Sequence, residues 1–346
     1  MSVPEAWRLL ALSPPRAYGA PVVRGRIRGR PEDFAVDEEL GFAASGDGPH
    51  VMLRIRKRSA NTEWVARELA RDAHCKPMDV GFAGLKDRHA VTTQWFTVPR
   101  GARDPQSWLR LEGDGFVVLE AYAHHRKLPR GALKANRFTL RIGELEGDLQ
   151  DLARRFEQLA RGGVPDYFGP QRFGRELQNL SGLPQIRRGA GQGFVISAAR
   201  SLIFNAILAR RVHECTWNLL MPGDVANLDG TQSIFDVREV DAALAARCTA
   251  LDLHPTAALW GLGATRVAGV IEALEKSIAA QFSEVCNALG LADVRAARRS
   301  LRVAVRDLTH AIEGNTLNVS FRLDAGSFAT TVLRELVDAR GLSAAR

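Results

Sequence analysis

The chain has 346 residues, of which 46% are hydrophobic and 25% charged; this is the balance of a folded globular protein and excludes wholesale disorder, a collagen-like repeat and a coiled-coil rod. The length suits two domains better than one. Lys and Arg number 47 against 39 Asp and Glu, a net charge of +8, which favours a polyanionic partner.

The first predicted element is a strand at 51–56, where Val51, Leu53 and Ile55 alternate with Met52, Arg54 and Arg56, giving a buried face and a basic outer face. Asn61-Thr62 then offers an N-cap for a helix carrying Trp64, Val65, Glu68, Leu69 and Ala70, up to about Arg71. Segments 94–98, 116–122 and 136–142 are further strands, rich in aromatic and β-branched residues and set apart by Gly, Pro and Asp. Leu149, Leu152, Phe156 and Leu159 switch to helical spacing, which Gly162-Gly163 and Pro165 stop. The stretch 162–174, with four glycines, two prolines and three aromatics, reads as a structured loop or a boundary. Helices are predicted at 197–211 and over Val267 to Phe282, ending by Gly290. Alternation at Leu301, Val303 and Val305, the turn residues Glu313-Gly314-Asn315, and alternation from Leu317 to Leu323 predict a hairpin; helical spacing closes the chain over 330–339. Strand-rich ends around a helix-rich middle suggest one domain inserted into another.

No stretch holds about 18 uninterrupted apolar residues, and the opening residues lack the apolar core of a secretory signal. A cytoplasmic protein without a membrane partner is expected, and a monomer, since no helix carries an obvious self-pairing face. Cys75, Cys215, Cys248 and Cys286 lie far apart, so no CxxC pair seeds a metal or redox site. His124-His125 is the only histidine pair, and sequence neighbours on a strand point to opposite faces. No metal site is expected.

The chemistry concentrates between Gly81 and Trp95. Two glycines permit a tight path, and Asp87 stands between Lys86 and Arg88 with His89 beside it. Neighbouring cations favour an ionised carboxylate against the effect of burial. Asp87 therefore fits an anionic nucleophile or base in a dry pocket, or an ordinary ion-paired surface loop.

Gly84-Leu85-Lys86-Asp87-Arg88-His89-Ala90-Val91-Thr92 with Gln94 resembles the signature of the TruD family of transfer-RNA pseudouridine synthases. Further matches run in the family's order from about Arg28 to Leu336: Pro31-Glu32-Asp33-Phe34, Lys134-Ala135-Asn136-Arg137-Phe138, Gly169-Pro170-Gln171-Arg172-Phe173-Gly174, Ser197-Ala198-Ala199-Arg200-Ser201 and Gly326-Ser327-Phe328-Ala329-Thr330. Asp166, Pro49 and Ala257 depart from the family's usual residues.

The resemblance implies an α/β (α+β) pseudouridine synthase fold with a mixed, mainly antiparallel sheet, its catalytic domain formed by 1–162 and 303–346, and an inserted α/β TRUD domain at 163–302. It implies isomerisation of uridine in transfer RNA, usually uridine 13 in the D arm, with Asp87 as the catalytic nucleophile, attacking C1′ or C6. No cofactor and no obligate protein partner are implied. Substrate contacts would come from Phe34, Asn136, Phe138 and Phe328; Arg28 stands where the family has a Lys that can pair with the carboxylate, and Lys86 is the other candidate partner. Each Phe taken alone also fits core packing. Lys127, Arg130, Lys134 and Arg137 form a basic cluster for phosphate contact, and Arg172 with Arg175 a second; Arg295, Arg298, Arg299 and Arg302 would share a face on a helix. The competing reading is a non-catalytic RNA-binding or RNA-folding protein using the same basic cleft, which has little reason to place an anion there.

Overall fold

The computed structural model of the chain describes residues 3–183 and 192–340. They form two compact units, one of Val22–Leu149, Val305–Ala329 and 337–340, the other of 3–21, 150–183, 192–304 and Thr330–Leu336.

The first unit is built on one sheet of eleven strands among the described residues: β1 (Val23–Ile27), β2 (Phe34–Leu40), β3 (His50–Arg58), β4 (Gly81–Phe82), β5 (Val91–Pro99), β6 (Glu112–Gly113), β7 (Phe116–His124), β8 (Leu133–Gly147), β9 (Arg306–Glu313), β10 (Thr316–Asp324) and β11 (Val337–Arg340). The main path runs β9-β10-β8-β2-β5-β3-β7-β6, with β1 pairing β8 and β11, and β4 pairing β5. Only β1 with β11 and β2 with β5 are parallel. β8 is the longest strand at 15 residues. Antiparallel partners directly opposite share a face, so the β2–β8 register puts Phe34, Val36 and Glu38 beside Leu140, Phe138 and Asn136, and β10 adds Phe321 opposite Phe138.

Val51, Leu53 and Ile55 of β3 pack with Val65 and Leu69 of the helix Thr62–Asp72 and with Phe82, Phe96 and Trp108. The alternation predicted for this strand holds for these residues, but Met52 is buried as well, so the expected outer face is covered at that end.

In the other unit the helix Gly193–His213 is central, with Leu202, Ile203, Phe204 and Leu208 fully buried against Phe173, Leu180, Phe282 and Leu289. By length and composition it could cross a membrane, yet 61% of its most apolar window is buried within the fold, as a core helix requires. A four-stranded sheet, made by Ile234–Asp236, Val225–Leu228, Leu253–Leu259 and Ala297–Ser300 in that order, lies in the same unit.

Three expectations change. The helix expected over Val267 to Phe282 is split into Gly269–Ala280 and Ser283–Leu291 at Gln281-Phe282. The hairpin is β9 with β10, not 301–305 with β10; Leu301, Val303 and Val305 are all buried, and Val303 pairs with Val164 instead. The C-terminal helix stops at Leu336, where β11 takes over and pairs with β1.

The Arg295 to Arg302 group is not a helical basic face. The segment holds two short strands, Ala297–Ser300 and Arg302–Val303, in which Arg298 forms a buried ion pair with Glu275, Arg299 pairs with Asp166, and Arg302 donates to Nδ1 of His254 and to the carbonyls of Cys248 and Leu253. Burial pushes Asp166 up to about 6, against the pull of Arg299.

A second buried pair anchors the end of the helix Gly193–His213. Arg211 is bound by both oxygens of Asp224, at 2.9 and 3.1 Å, and caps the carbonyls of Thr216 and Leu219. Removing one partner of such a pair leaves an uncompensated charge, so Asp224→Ala should lower stability by about 3–5 kcal/mol, read as a reduced urea midpoint.

Candidate active site

The loop that bears Asp87 is held from below by a polar network. Lys86 and Asp87 lie in the irregular segment between β4 and β5, and their side chains diverge. Lys86 turns inward, and its ammonium meets the fully buried carboxylate of Glu38, whose other oxygen accepts the N–H of Trp95 at 3.1 Å. The main-chain N–H of Lys86 donates to Oγ1 of Thr62 at 3.1 Å, Thr62 donates to Gln94 at 2.9 Å, and Gln94 donates back to the carbonyl of Gly84 at 3.2 Å. Nζ of the buried Lys57 donates to the carbonyls of Ala60 and Asp87, at 2.8 and 3.1 Å. The helix expected to start on an Asn61-Thr62 cap does begin at Thr62, but Asn61 makes no side-chain cap bond and the Thr62 hydroxyl serves the loop.

Asp87 points the other way. Its Oδ2 accepts from Nη2 of Arg28 at 2.7 Å, with the Asp87 side chain 47% exposed and that of Arg28 11%. The dry pocket expected around the carboxylate is therefore not formed by the described residues alone. The charged run Asp87-Arg88-His89 stays solvated, and the cation that meets the carboxylate comes from the end of β1 and not from its sequence neighbours. Arg28 adopts a left-handed conformation, φ 61°, at a cost of roughly 1–2 kcal/mol for a residue with a Cβ. Its guanidinium lies over the ring of Phe34, Cζ 4.2 Å from the centroid, a contact that favours a planar cation.

Phe34 meets Phe138 edge-on at 6.3 Å, and Phe138 in turn contacts Phe321 at 5.4 Å. Arg28, Asp87, Phe34 and Phe138 are thus joined by successive contacts. Both rings are nearly buried, so they are also part of the packing of the sheet face. Asn136 shares that face, and its Oδ1 is buried with no hydrogen-bond partner among the described residues. Phe328 lies just before the helix Ala329–Leu336, is 38% exposed, and makes no ring contact with the other three phenylalanines.

The basic residues are spread out. Lys127 donates to the carbonyl of Met78, Arg130 lies 3.5 Å over the ring of Phe82, and Lys134 is exposed. Arg137 is taken up by Glu39 and Asp307. In the other unit Arg172 donates to Oγ of Ser197 at 2.9 Å and sits over Phe168, while Arg175 is open to solvent beside Glu176. No group of three or more His, Cys, Asp or Glu side chains suited to a metal ion occurs among the described residues.

The fold is shared with a solved structure: a crystal structure of the putative tRNA pseudouridine synthase D from Methanosarcina mazei superposes with a TM-score of 0.75, covering 99% of this chain and 100% of that one at 19% identity, a likeness of fold. The sequence matches the family tRNA pseudouridine synthase D (TruD) over residues 16–183 and 191–336. It is 44% identical over 332 residues to the tRNA pseudouridine synthase D of Methylococcus capsulatus, covering 94% of each chain, and 44% identical over 333 residues to that of Nitrosococcus oceani, covering 93% of each. The chain belongs to the TruD family and is, with it, a tRNA pseudouridine synthase, an isomerase.

Thr62 ties the helix to the loop through one oxygen. Thr62→Val, which keeps the shape and removes the hydroxyl, should cost about 1–3 kcal/mol because the N–H of Lys86 and the amide of Gln94 lose a partner; Thr62→Ser should restore most of it in a denaturation series.

Proposed function

We propose that Asp87 is the nucleophile by which this chain converts a uridine of transfer RNA, uridine 13 of the D arm, into pseudouridine. The reaction breaks the bond from N1 of uracil to C1′ of ribose and forms one from C5 to C1′; a proton leaves C5 and N1 gains one, so no atom is supplied by a second substrate. A carboxylate attacking C1′ or C6 splits this exchange into two steps. The observation that carries the reading is the pairing of Asp87 with Arg28 on a loop whose neighbouring main chain is fixed by Thr62, Gln94 and Lys57. That arrangement supports an anion aimed outward and a main chain that does not yield.

The carboxylate is half open to solvent in the free protein, so the RNA itself must complete the dry environment. An everted base costs a few kcal/mol to extract and is held by stacking and edge hydrogen bonds. Phe34, Phe138 and Phe328 are the rings we assign to it, and the unpartnered Oδ1 of Asn136 is the acceptor available for the base edge. Arg28 keeps the carboxylate oriented, and Lys86, held by Glu38, acts on the substrate side only through the loop it anchors. Lys127, Arg130, Lys134, Arg172 and Arg175 contact phosphates. In this proposal residues 163–302 are the insertion into a catalytic domain of 1–162 and 303–346, and the working unit is a cytoplasmic monomer without cofactor.

Asp87→Asn should abolish pseudouridine formation in unmodified transfer RNA, a loss of more than about a thousand-fold, while the dissociation constant for the RNA changes little. Carbodiimide-based primer extension reads the product and its position; wild-type rates from this variant would overturn the assignment and favour a binding protein with another reactive group. Binding should also weaken steeply with salt, with a log–log slope set by the number of phosphates neutralised, and a flat response would remove the assigned Lys and Arg contacts.

A further inference from the structure

Lys57 is a charged residue on the buried face of β3. Its side chain is 1% exposed, its Nζ is bound by two main-chain carbonyls, and it forms no ion pair among the described residues. A buried ammonium without a carboxylate partner is costly. Burial pulls this group down to about 8 from an ordinary 10.5, with Lys86 adding to the fall and Asp87 opposing it. The unfolded chain therefore holds the proton more tightly than the folded one between about 8 and 10.5, and stability rises with pH across that window. At neutral pH the charge works against the fold. A neutral amide could hold a carbonyl without that cost, so the charge calls for a reason outside stability.

We infer that Lys57 is a positioning residue for the reaction: its ammonium fixes the main chain of Asp87 from the buried side and supplies a second positive neighbour to the carboxylate when RNA displaces the solvent around it. Arg28 meets Asp87 at its exposed carboxylate and Lys57 at its carbonyl, while the charge of Lys86 is taken up by Glu38. A site that is half open in the free protein loses water on binding RNA, and an anion in that setting needs a nearby cation that the substrate cannot displace. A cation at the surface can be drawn to phosphate; one buried under the loop cannot. This inference rests on Asp87 being the reacting group.

The test is the single-turnover rate at saturating unmodified transfer RNA between pH 6 and 9 for the wild type, Lys57→Gln, Lys57→Met and Asp87→Asn, with RNA affinity by filter binding. Lys57→Gln, which keeps an N–H donor, should bind RNA within about two-fold of the wild type yet react about 10- to 100-fold more slowly. The wild-type rate should decline above a midpoint near pH 8, as the ammonium loses its proton, and that decline should be missing from both Lys57 variants. Lys57→Gln at the wild-type rate, or the same alkaline decline in variant and wild type, would overturn the inference while Asp87→Asn stayed inactive. An active Asp87→Asn would instead sink the role given to Asp87. Should neither Lys57 variant fold, the wild-type profile decides: a rate flat to pH 9 contradicts the inference.

Discussion

The ion pair between Arg28 and Asp87 is the constraint on which the site depends. It joins the end of β1 to the loop before β5, two segments 59 residues apart in sequence, and it fixes the direction of the carboxylate at the surface of the sheet. A pair this exposed contributes little to stability by itself. Its geometry is set by what lies on either side: Phe34 under the guanidinium, and under the carboxylate a main chain held by the buried side chains of Lys57, which donates to it, and Thr62, which accepts from it. The left-handed backbone at Arg28 fits the same picture, since strain of that kind persists where surrounding contacts over-determine it.

The buried polar groups near the loop divide the electrostatic work. Glu38 neutralises Lys86 inside the unit, and so keeps that cation from competing with Arg28 for Asp87. Thr62 and Gln94 satisfy main-chain groups of a segment that forms no sheet pairing of its own over 84–89. Such a network is stiff when fully satisfied. Stiffness matters for the role proposed for Asp87, because a misplacement of about 1 Å can cost about a hundred-fold in rate.

Much of this was legible in the sequence. Alternation gave β3 and β10, and aromatic and β-branched content gave β5, β7 and β8; Asn136 and Phe138, two residues apart on β8, share a face, as the β2–β8 register shows. The motif around Asp87 led to the family that the comparisons establish. The alternation of β3 also carries a signal at Lys57: with Val51, Leu53 and Ile55 on the buried face, position 57 falls on that face, and a lysine there signals a partner inside. Pairing was less accessible. The partner of Lys86 is 48 residues away and that of Asp87 is 59, and adjacency in sequence suggested a Lys86–Asp87 contact, whereas Lys86 pairs inward with Glu38 and Asp87 pairs with Arg28. The arginines of 295–302 misled for a related reason: a charge run looks the same on a solvated helix and on a strand whose side chains reach buried Glu275, Asp166 and His254.

The central claim is that the carboxylate of Asp87 meets an everted uridine. A crystal structure of the protein with transfer RNA carrying 5-fluorouridine at the target position tests it most directly. The account predicts the target base outside the RNA stack, with an Asp87 oxygen bonded to C1′ or C6 or within about 3–3.5 Å of one of them. A base still stacked in the RNA, or one seated against a different nucleophile with Asp87 remote from the ribose and ring, would contradict it.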